Sequence, residues 1–199
     1  MNPTKPTYHH GDLRGALLDA ATALIREAGV DGLSMRKLAD RVGVSRTAPY
    51  HHFVDKQALL SALAEAGFRR YEAALQQALA SAPTADAQLR AFIRCYLTFA
   101  LAHPESYDLM FGHSVWKAGV PSESLRGEAH RVFKRYVERV RLWQQQQLLP
   151  AGVETLRLAQ VTWSTLHGLA RLSIDGIYLQ PNHLDELLDV AERLFRQAL

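Results

Sequence analysis

Apolar side chains recur at three- and four-residue intervals along most of this 199-residue chain, whereas runs that alternate every second residue are nearly absent. This spacing places the apolar groups on one face of an α-helix, so it predicts an all-α protein. Glycine, proline and helix-capping residues divide the pattern into separate segments. We expect helices over residues 12–28, 34–42, 45–53, 55–80, 85–102, 106–111, 122–148, 153–179 and 183–199.

The predicted helices fall into two groups. Three compact helices come first, and a long helix that begins at Asp55, a favourable N-cap residue, follows them. This order predicts an N-terminal domain over residues 1–54 and a C-terminal helical domain over residues 55–199. The long helix is expected to connect the two domains.

Residues 34–56 have the layout of a helix-turn-helix, because two short helical segments flank the turn at Gly43-Val44-Ser45. The second helix of such a motif enters the DNA major groove. The segment holds five basic and two acidic residues, whereas the rest of the chain carries eighteen of each sign. Positive charge confined to a helix-turn-helix indicates that this element meets a polyanion.

The motif Ser45-Arg-Thr-Ala-Pro-Tyr-His-His-Phe53 and the residues after it resemble the recognition helix of the TetR family of bacterial repressors. Residues 12–63 as a whole fit the family pattern. The family usually has leucine at the position of Pro49, which lacks an N–H and would remove an early hydrogen bond from this helix. Residues 8–14 and 163–169 resemble one C-terminal subclass, marked by a Trp-x-x-x-His-Gly signature.

The resemblance implies a homodimeric repressor that binds a double-stranded, palindromic DNA operator and is released by a small-molecule effector. Arg46 and Thr47 would lie in the first turn of the recognition helix, which approaches base edges. Tyr50 and Lys56 resemble the phosphate-contacting pair of the family, and His52 is open between a phosphate contact and packing. The expected DNA-binding residues are Arg36, Ser45, Arg46, Thr47, Tyr50, His51, His52 and Lys56.

An effector is expected in a cavity within the C-terminal domain, among its aromatic side chains. The candidate lining residues are Phe92, Tyr96, Phe99, Tyr107, Phe111, Trp116 and Trp163, with His113 and His167 as polar contacts. Trp163 and His167 lie four residues apart on one helical face. These two side chains could line the cavity or pack on a neighbouring helix, and the sequence leaves both alternatives equally open.

The apolar surfaces of two helices indicate a dimer interface. The last helix has a sharp apolar stripe that includes Leu188 and Leu194, and the helix over residues 153–179 is apolar on more than one side. Such surfaces are buried in a globular protein, and two helices from each subunit would bury them together. Gly168 lies within the second of these helices, where the close approach of another helix would account for it.

No cofactor, metal site or catalytic residue is expected. The adjacent histidines at 9–10 and 51–52 point in different directions on a helix, and no cysteine or carboxylate cluster completes a site. Ser164, His167 and Asp175 are the residue types of a hydrolytic triad, but one helix carries all three, so they cannot converge on a substrate. An enzyme is therefore disfavoured.

Cys95 is the single cysteine, which excludes an internal disulfide and suits a reducing cytoplasm. Its apolar neighbours predict burial rather than a redox role. No apolar run is long enough to span a bilayer or to act as a secretory signal, so a cytoplasmic protein without membrane contact is expected. A DNA-binding protein without an effector is the alternative, although dimerisation alone would not need so large an aromatic-rich domain.

Overall fold

The computed structural model describes residues 12–117, 119–178 and 184–196, which form helices and no strands. The all-α prediction is therefore confirmed. Residues 8–11, with the histidine pair at 9–10, and residues 197–199 at the end of the last apolar stripe lie outside the described residues. The helices are α1 (Leu13–Gly32), α2 (Met35–Val42), α3 (Lys56–Ala80), α4 (Ala85–Ala102), α5 (Pro104–Phe111), α6 (His113–Trp116), α7 (Glu123–Gln145), α8 (Thr155–Ile174) and α9 (Leu184–Arg196).

Local capping determines the ends of the first helices. Ser34 and Asp55 each accept a hydrogen bond from the backbone N–H three residues on, at 3.2 and 2.7 Å, and so cap α2 and α3. Gly43 ends α2 with a φ of 78°. Gly29, with a φ of 69°, interrupts α1, but one more turn follows and the helix runs past its predicted end to Gly32.

The segment between α2 and α3 differs from the prediction of an α-helix over residues 45–53. A single 3-10 turn, Ala48–His51, stands there instead. Ser45 does not cap it, since its hydroxyl bonds the Thr47 hydroxyl at 3.0 Å and its carbonyl accepts from the Ala48 N–H. Pro49 has no N–H to continue an α-helical ladder, and its side chain is buried. We call Ser45–His52 the recognition turn.

α3 is the central helix, and it packs against α4, α5 and α7. One continuous hydrophobic core extends from Leu17 in α1 to Phe195 in α9. The first turns of α3 contribute Leu59 and Leu63 to the part of that core beneath α1. α3 is therefore shared by the N-terminal helices and the C-terminal bundle, and the domain boundary at residues 54/55 stays a prediction.

The second half of the chain follows the predicted helices with three differences. The expected loop over residues 112–121 contains the short helix α6. α7 ends at Gln145 rather than near residue 148, and α8 ends at Ile174 rather than at residue 179. Left-handed residues follow both ends, Gln147 with a φ of 59° and Gly176 with a φ of 70°, and this conformation does not continue a helix.

α8 and α9 each bury one face within the chain. Leu166 of α8 and Leu188 of α9 are buried, whereas Val161 and Leu194 are exposed. α8 therefore leaves part of its apolar surface uncovered by its own chain, and burial of that surface against a partner stays a prediction. A Cβ atom placed on Gly168 would meet no other atom within 4 Å, so none of the described helices accounts for this glycine.

Candidate functional site

The predicted DNA-binding residues lie together on and around the recognition turn, and all except Lys56 are exposed. Phe53, buried beneath the turn, is held under the Arg14 guanidinium, whose carbon lies 5.4 Å from the ring centroid. Tyr50 is exposed beside it, which leaves its ring and hydroxyl available to a ligand. His51 and His52 are also exposed, and the His52 ring lies 6.4 Å from that of Phe53.

The basic side chains of this region differ in whether they already contact an acidic side chain of the protein. Arg41 makes two hydrogen bonds to Glu27, at 3.0 and 2.6 Å, and this contact lowers the pKa of the Glu27 carboxyl. Arg36 lies 4.0 Å from Asp40. Within the part of the chain that the structure describes, Arg46 has no hydrogen bond or ion pair, so its guanidinium is the most available cation of the recognition turn.

Lys56 has a structural contact that the sequence did not indicate. Its Nζ donates to the Val30 carbonyl at 2.7 Å, while Lys37 Nζ donates to the Gly32 carbonyl at 3.0 Å. Both carbonyls belong to the last turn of α1, where the Val30 carbonyl also accepts from the Leu33 N–H at 3.2 Å. An ammonium group has three donor hydrogens, so Lys56 can stabilise α1 and still donate to a phosphate.

Most of the predicted effector residues converge in one aromatic core between α3, α4, α5, α7 and α8. Tyr96 is its centre, with ring centroids of Tyr71, Tyr107 and Trp163 at 5.7, 6.2 and 5.4 Å. The predicted members that lie in it are Phe92, Tyr96, Phe99, Tyr107, Phe111, Trp163 and His167.

The structure does not bring the other two candidates into this core. His113 is exposed at the start of α6. Trp116 is half-buried, and its indole Nε1 donates to the Met110 carbonyl at 2.6 Å, which holds α6 on the end of α5.

A hydrogen-bonded relay runs through the aromatic core. The hydroxyls of Tyr96 and Tyr107 lie 3.0 Å apart, and the Tyr107 hydroxyl lies 2.6 Å from His167 Nδ1. Burial, together with the charge of Arg171, lowers the pKa of His167, which favours the neutral imidazole. When the proton of the neutral ring is on Nε2, Nδ1 accepts from Tyr107, and the Tyr107 oxygen then accepts from Tyr96.

Several members of the core were not predicted. Tyr136 stacks on Phe92 with centroids 4.7 Å apart and planes at 9°, and its hydroxyl bonds Thr162 at 2.6 Å. Tyr71 belongs to the apolar stripe of α3, where an aromatic residue is typical of ordinary core. The other unpredicted rings are Phe68, Phe133 and Trp143. Helical spacing identifies such residues as buried but does not show which rings meet.

α5 links this core to both ends of the molecule. Glu105 forms an ion pair at 2.5 Å with Arg26 of α1, and the pKa of its carboxyl is lowered by that contact in spite of partial burial. Tyr107 enters the relay, and Asp108 pairs with Arg171 of α8. A small cleft lies where α1, α3 and α5 meet.

Other site types find little support. The described residues contain no group of histidine, cysteine and carboxylate side chains that could hold a metal ion. Cys95 is buried, and burial raises the pKa of its thiol. Ser164 is exposed and Asp175 is paired with Arg171, so neither lies beside His167 as a triad would require. None of the described helices is long and apolar enough to cross a membrane.

Comparison with known proteins matches both halves of the chain. The family profile "Bacterial regulatory proteins, tetR family" covers residues 17–63. The profile "Tetracyclin repressor-like, C-terminal domain" covers residues 89–195, which is more than half of the chain.

Curated relatives match mainly at the N-terminal end. The tetracycline repressor protein class A from transposon 1721 of Escherichia coli is 46% identical over 77 residues, which is 39% of this chain and 33% of the relative. The chain thus spans about a third or less of the length of the first curated relatives it matches.

Solved structures match over nearly the whole length. A protein with unknown function from Rhodococcus sp. RHA1 is 38% identical, with 96% of this chain and 97% of that chain covered and a TM-score of 0.83. The TetR family transcriptional regulator PfmR from Thermus thermophilus shares the fold, at 21% identity, 92% and 98% coverage and a TM-score of 0.67. Taken with the two family profiles, these matches show that the chain belongs to the TetR family of bacterial transcriptional regulators.

Proposed function

We propose that this protein is a ligand-responsive transcriptional repressor, which binds a palindromic operator as a homodimer and is released by a small-molecule effector. The observation that carries the proposal is the set of contacts made by α5. Within one short helix, Glu105 pairs with α1 of the helix-turn-helix region and Tyr107 bonds His167 in the aromatic core. A change in the core therefore has a direct mechanical route to the DNA-binding surface.

DNA recognition is assigned to the exposed side chains of the recognition turn and its neighbours. Arg46 and Thr47 are proposed to read base edges, and Tyr50 and Lys56 to contact phosphates. Arg36, Ser45, His51 and His52 complete the surface. The unpaired state of Arg46 among the described residues supports its role, because a guanidinium free of protein partners can donate two bonds to guanine.

Dimerisation is assigned to the outer faces of α8 and α9. Val161, Val190 and Leu194 are exposed apolar residues on these two helices. Two copies of each helix would cover these side chains and bring the space beside Gly168 against the partner. The dimer would present two recognition turns to half-sites one helical turn, about 34–36 Å, or a multiple of it apart.

The effector is assigned to the aromatic core. The bond between Tyr107 and His167 supports a lining role for His167, because the polar atoms of the relay are held within the core. Trp163 contacts Tyr96, Phe133 and Tyr136, so it can pack and also contact a bound molecule. We assign residues 163–169 to the Trp-x-x-x-His-Gly subclass on their sequence. A cytoplasmic location follows from the proposed function.

Selection of bound sequences from randomised duplexes tests the DNA assignment, and a palindrome with two half-sites is the expected result. The selected duplex is then used in fluorescence anisotropy while a panel of metabolites and antibiotics is added. An effector should lower the DNA affinity in proportion to its preference for the DNA-free conformation. Failure to select any sequence refutes operator binding. A selected operator that no compound releases favours the effector-independent alternative.

The route through α5 is tested with Glu105→Gln. This change removes the ion pair with Arg26, so an effector should still bind but release DNA less effectively. The matched control is Arg94→Gln, which breaks the exposed ion pair between α4 and Asp185 of α9 and leaves the contact between α5 and α1 intact. Equal release by both variants would exclude α5 as the route.

A further inference from the structure

The aromatic core contains one buried hydrogen-bond donor with no acceptor among the described residues, and an arginine beside it that has an ion pair but no hydrogen bond. Tyr71 is 3% exposed, and its hydroxyl has no hydrogen-bond partner. Arg139 of α7 has a side chain that is 21% exposed, and its nearest acidic atom, Glu72 Oε1, lies at 3.8 Å, too far for a hydrogen bond. Buried donors are nearly always paired, so the unpaired Tyr71 hydroxyl calls for an explanation.

Both donors line one crevice between α3, α4, α7 and α8. The gaps between its walls add up to about 170 Å³. Each gap is too narrow to admit a water molecule. Water therefore cannot satisfy the Tyr71 hydroxyl in this conformation. The aromatic residues Phe92, Tyr136 and Trp163 form much of the remaining wall.

The crevice has more positive than negative groups. Glu72 Oε1 lies 3.1 Å from Arg135 and 3.8 Å from Arg139, and it also accepts from Gln76 at 2.9 Å, so one carboxylate is shared by both guanidinium groups. Two guanidinium groups thus face one carboxylate. Burial raises the pKa of Tyr71, which keeps its hydroxyl protonated and able to donate.

We propose that this crevice binds the acidic group of the effector, and that the effector is a planar aromatic carboxylic acid. Tyr71 and Arg139 donate to the carboxylate, and the rings of Phe92, Tyr136 and Trp163 contact the planar body. The inference rests on the proposed function, since it names the chemical class of that same effector. The stacked pair of Phe92 and Tyr136 shows that flat rings pack well at this position.

Binding in this crevice has a direct consequence for the DNA-binding surface. The crevice is narrow, so an aromatic acid must move α3 and α7 apart to enter it. Tyr71 lies on α3, fifteen residues after Lys56 and therefore about 22 Å along the helix axis from it. A small tilt of α3 at Tyr71 shifts Lys56 and the recognition turn.

The test compares 1-naphthoate with 1-naphthalenemethanol, which has a similar planar body but no charge. Binding to the full chain is measured by calorimetry and by the fluorescence of the tryptophans in the core. Naphthoate should bind at least about tenfold more tightly than the alcohol, because charge-assisted hydrogen bonds are stronger than neutral ones. No binding of naphthoate, or equal affinity for the two compounds, overturns the proposal.

Two variants and one control locate the acid group. Tyr71→Phe should weaken naphthoate binding about 5- to 100-fold while the thermal midpoint stays equal or rises, because the lost hydroxyl is unpaired in the free protein. Arg139→Gln should bring the affinity for naphthoate close to that for the alcohol. Arg141→Gln, an exposed position on the same helix, should change neither. Unchanged naphthoate affinity in Tyr71→Phe overturns the assignment, even if Arg139→Gln proves unstable.

The failure of this inference is distinguishable from the failure of the proposed function. If naphthoate binds as described but leaves operator binding unchanged, the acid site stands and its coupling to the DNA-binding surface through α3 is refuted. If another compound releases the operator equally well from wild type and from Tyr71→Phe, the ligand-responsive role stands and the acid site is refuted.

Discussion

Leu194 offers a quantitative test of the assigned dimer interface. It lies on α9 and is 60% exposed in the single chain. Leu194→Ala removes three carbon atoms, which at about 0.8 kcal/mol per buried CH₂ group correspond to about 2.4 kcal/mol for complete burial. Only the exposed fraction remains to be buried on dimerisation, so the loss is about 1.4 kcal/mol per subunit.

A two-fold interface contains the residue twice, so the dimer should lose about 3 kcal/mol and its dissociation constant should rise about 100-fold. Sedimentation equilibrium over a range of protein concentrations measures this constant. Leu142→Ala is the matched control, since Leu142 is 54% exposed on α7, outside the proposed interface. An equal dissociation constant for the two variants, or a wild type that is monomeric at micromolar concentration, would refute the interface.

Three further substitutions separate binding from stability. Lys56→Ala should weaken binding to all duplexes alike and reduce by about one unit the slope of log binding constant against log salt concentration. If the lysine serves only the Val30 carbonyl, the thermal midpoint falls and this slope stays unchanged. Arg46→Ala should relax the preference at one or two base pairs by about 1–3 kcal/mol in a randomised-site selection, and unchanged selectivity would exclude a base contact. The pKa of His167 is lowered in the folded chain, so the unfolded chain binds more protons below about pH 6.5 and stability falls as the pH decreases. His167→Gln should flatten the plot of thermal midpoint against pH between about pH 7.5 and 5.5, and an equal slope in both proteins would contradict this.

Features that depend on a few neighbouring residues were predictable. Ser34, Gly43 and Asp55 act through the backbone within three residues, and each occupies its predicted position at a helix end. The long apolar stripe of α3 was also predictable, because its period does not depend on what packs against it. Pro49 was recognised as unusual, but whether a short helix becomes a 3-10 turn depends on its packing over α1 and α2.

Contacts between distant helices were not predictable from one sequence. The bond from Lys56 to Val30 joins residues 26 positions apart, and that between Tyr107 and His167 joins residues 60 apart. Arg139 resembles the many solvated charges on α7 until the fold places it beside Tyr71. The aromatic core could be expected as a group, but the unpaired hydroxyl of Tyr71 is visible only once every partner has a position.

The short recognition turn limits how much sequence each subunit can read. Pro49 points inward and Phe53 anchors the segment, so the exposed side chains of the turn are confined to residues 45–47 and 50–52. In the proposed dimer each half-site would therefore carry little information, and the distance between the two half-sites would supply much of the discrimination between an operator and other DNA. A displacement of the two subunits that only slightly alters this distance then removes selectivity first, while attraction to the phosphate backbone persists. The regulator would leave its operator by becoming a general DNA binder and need not leave DNA altogether.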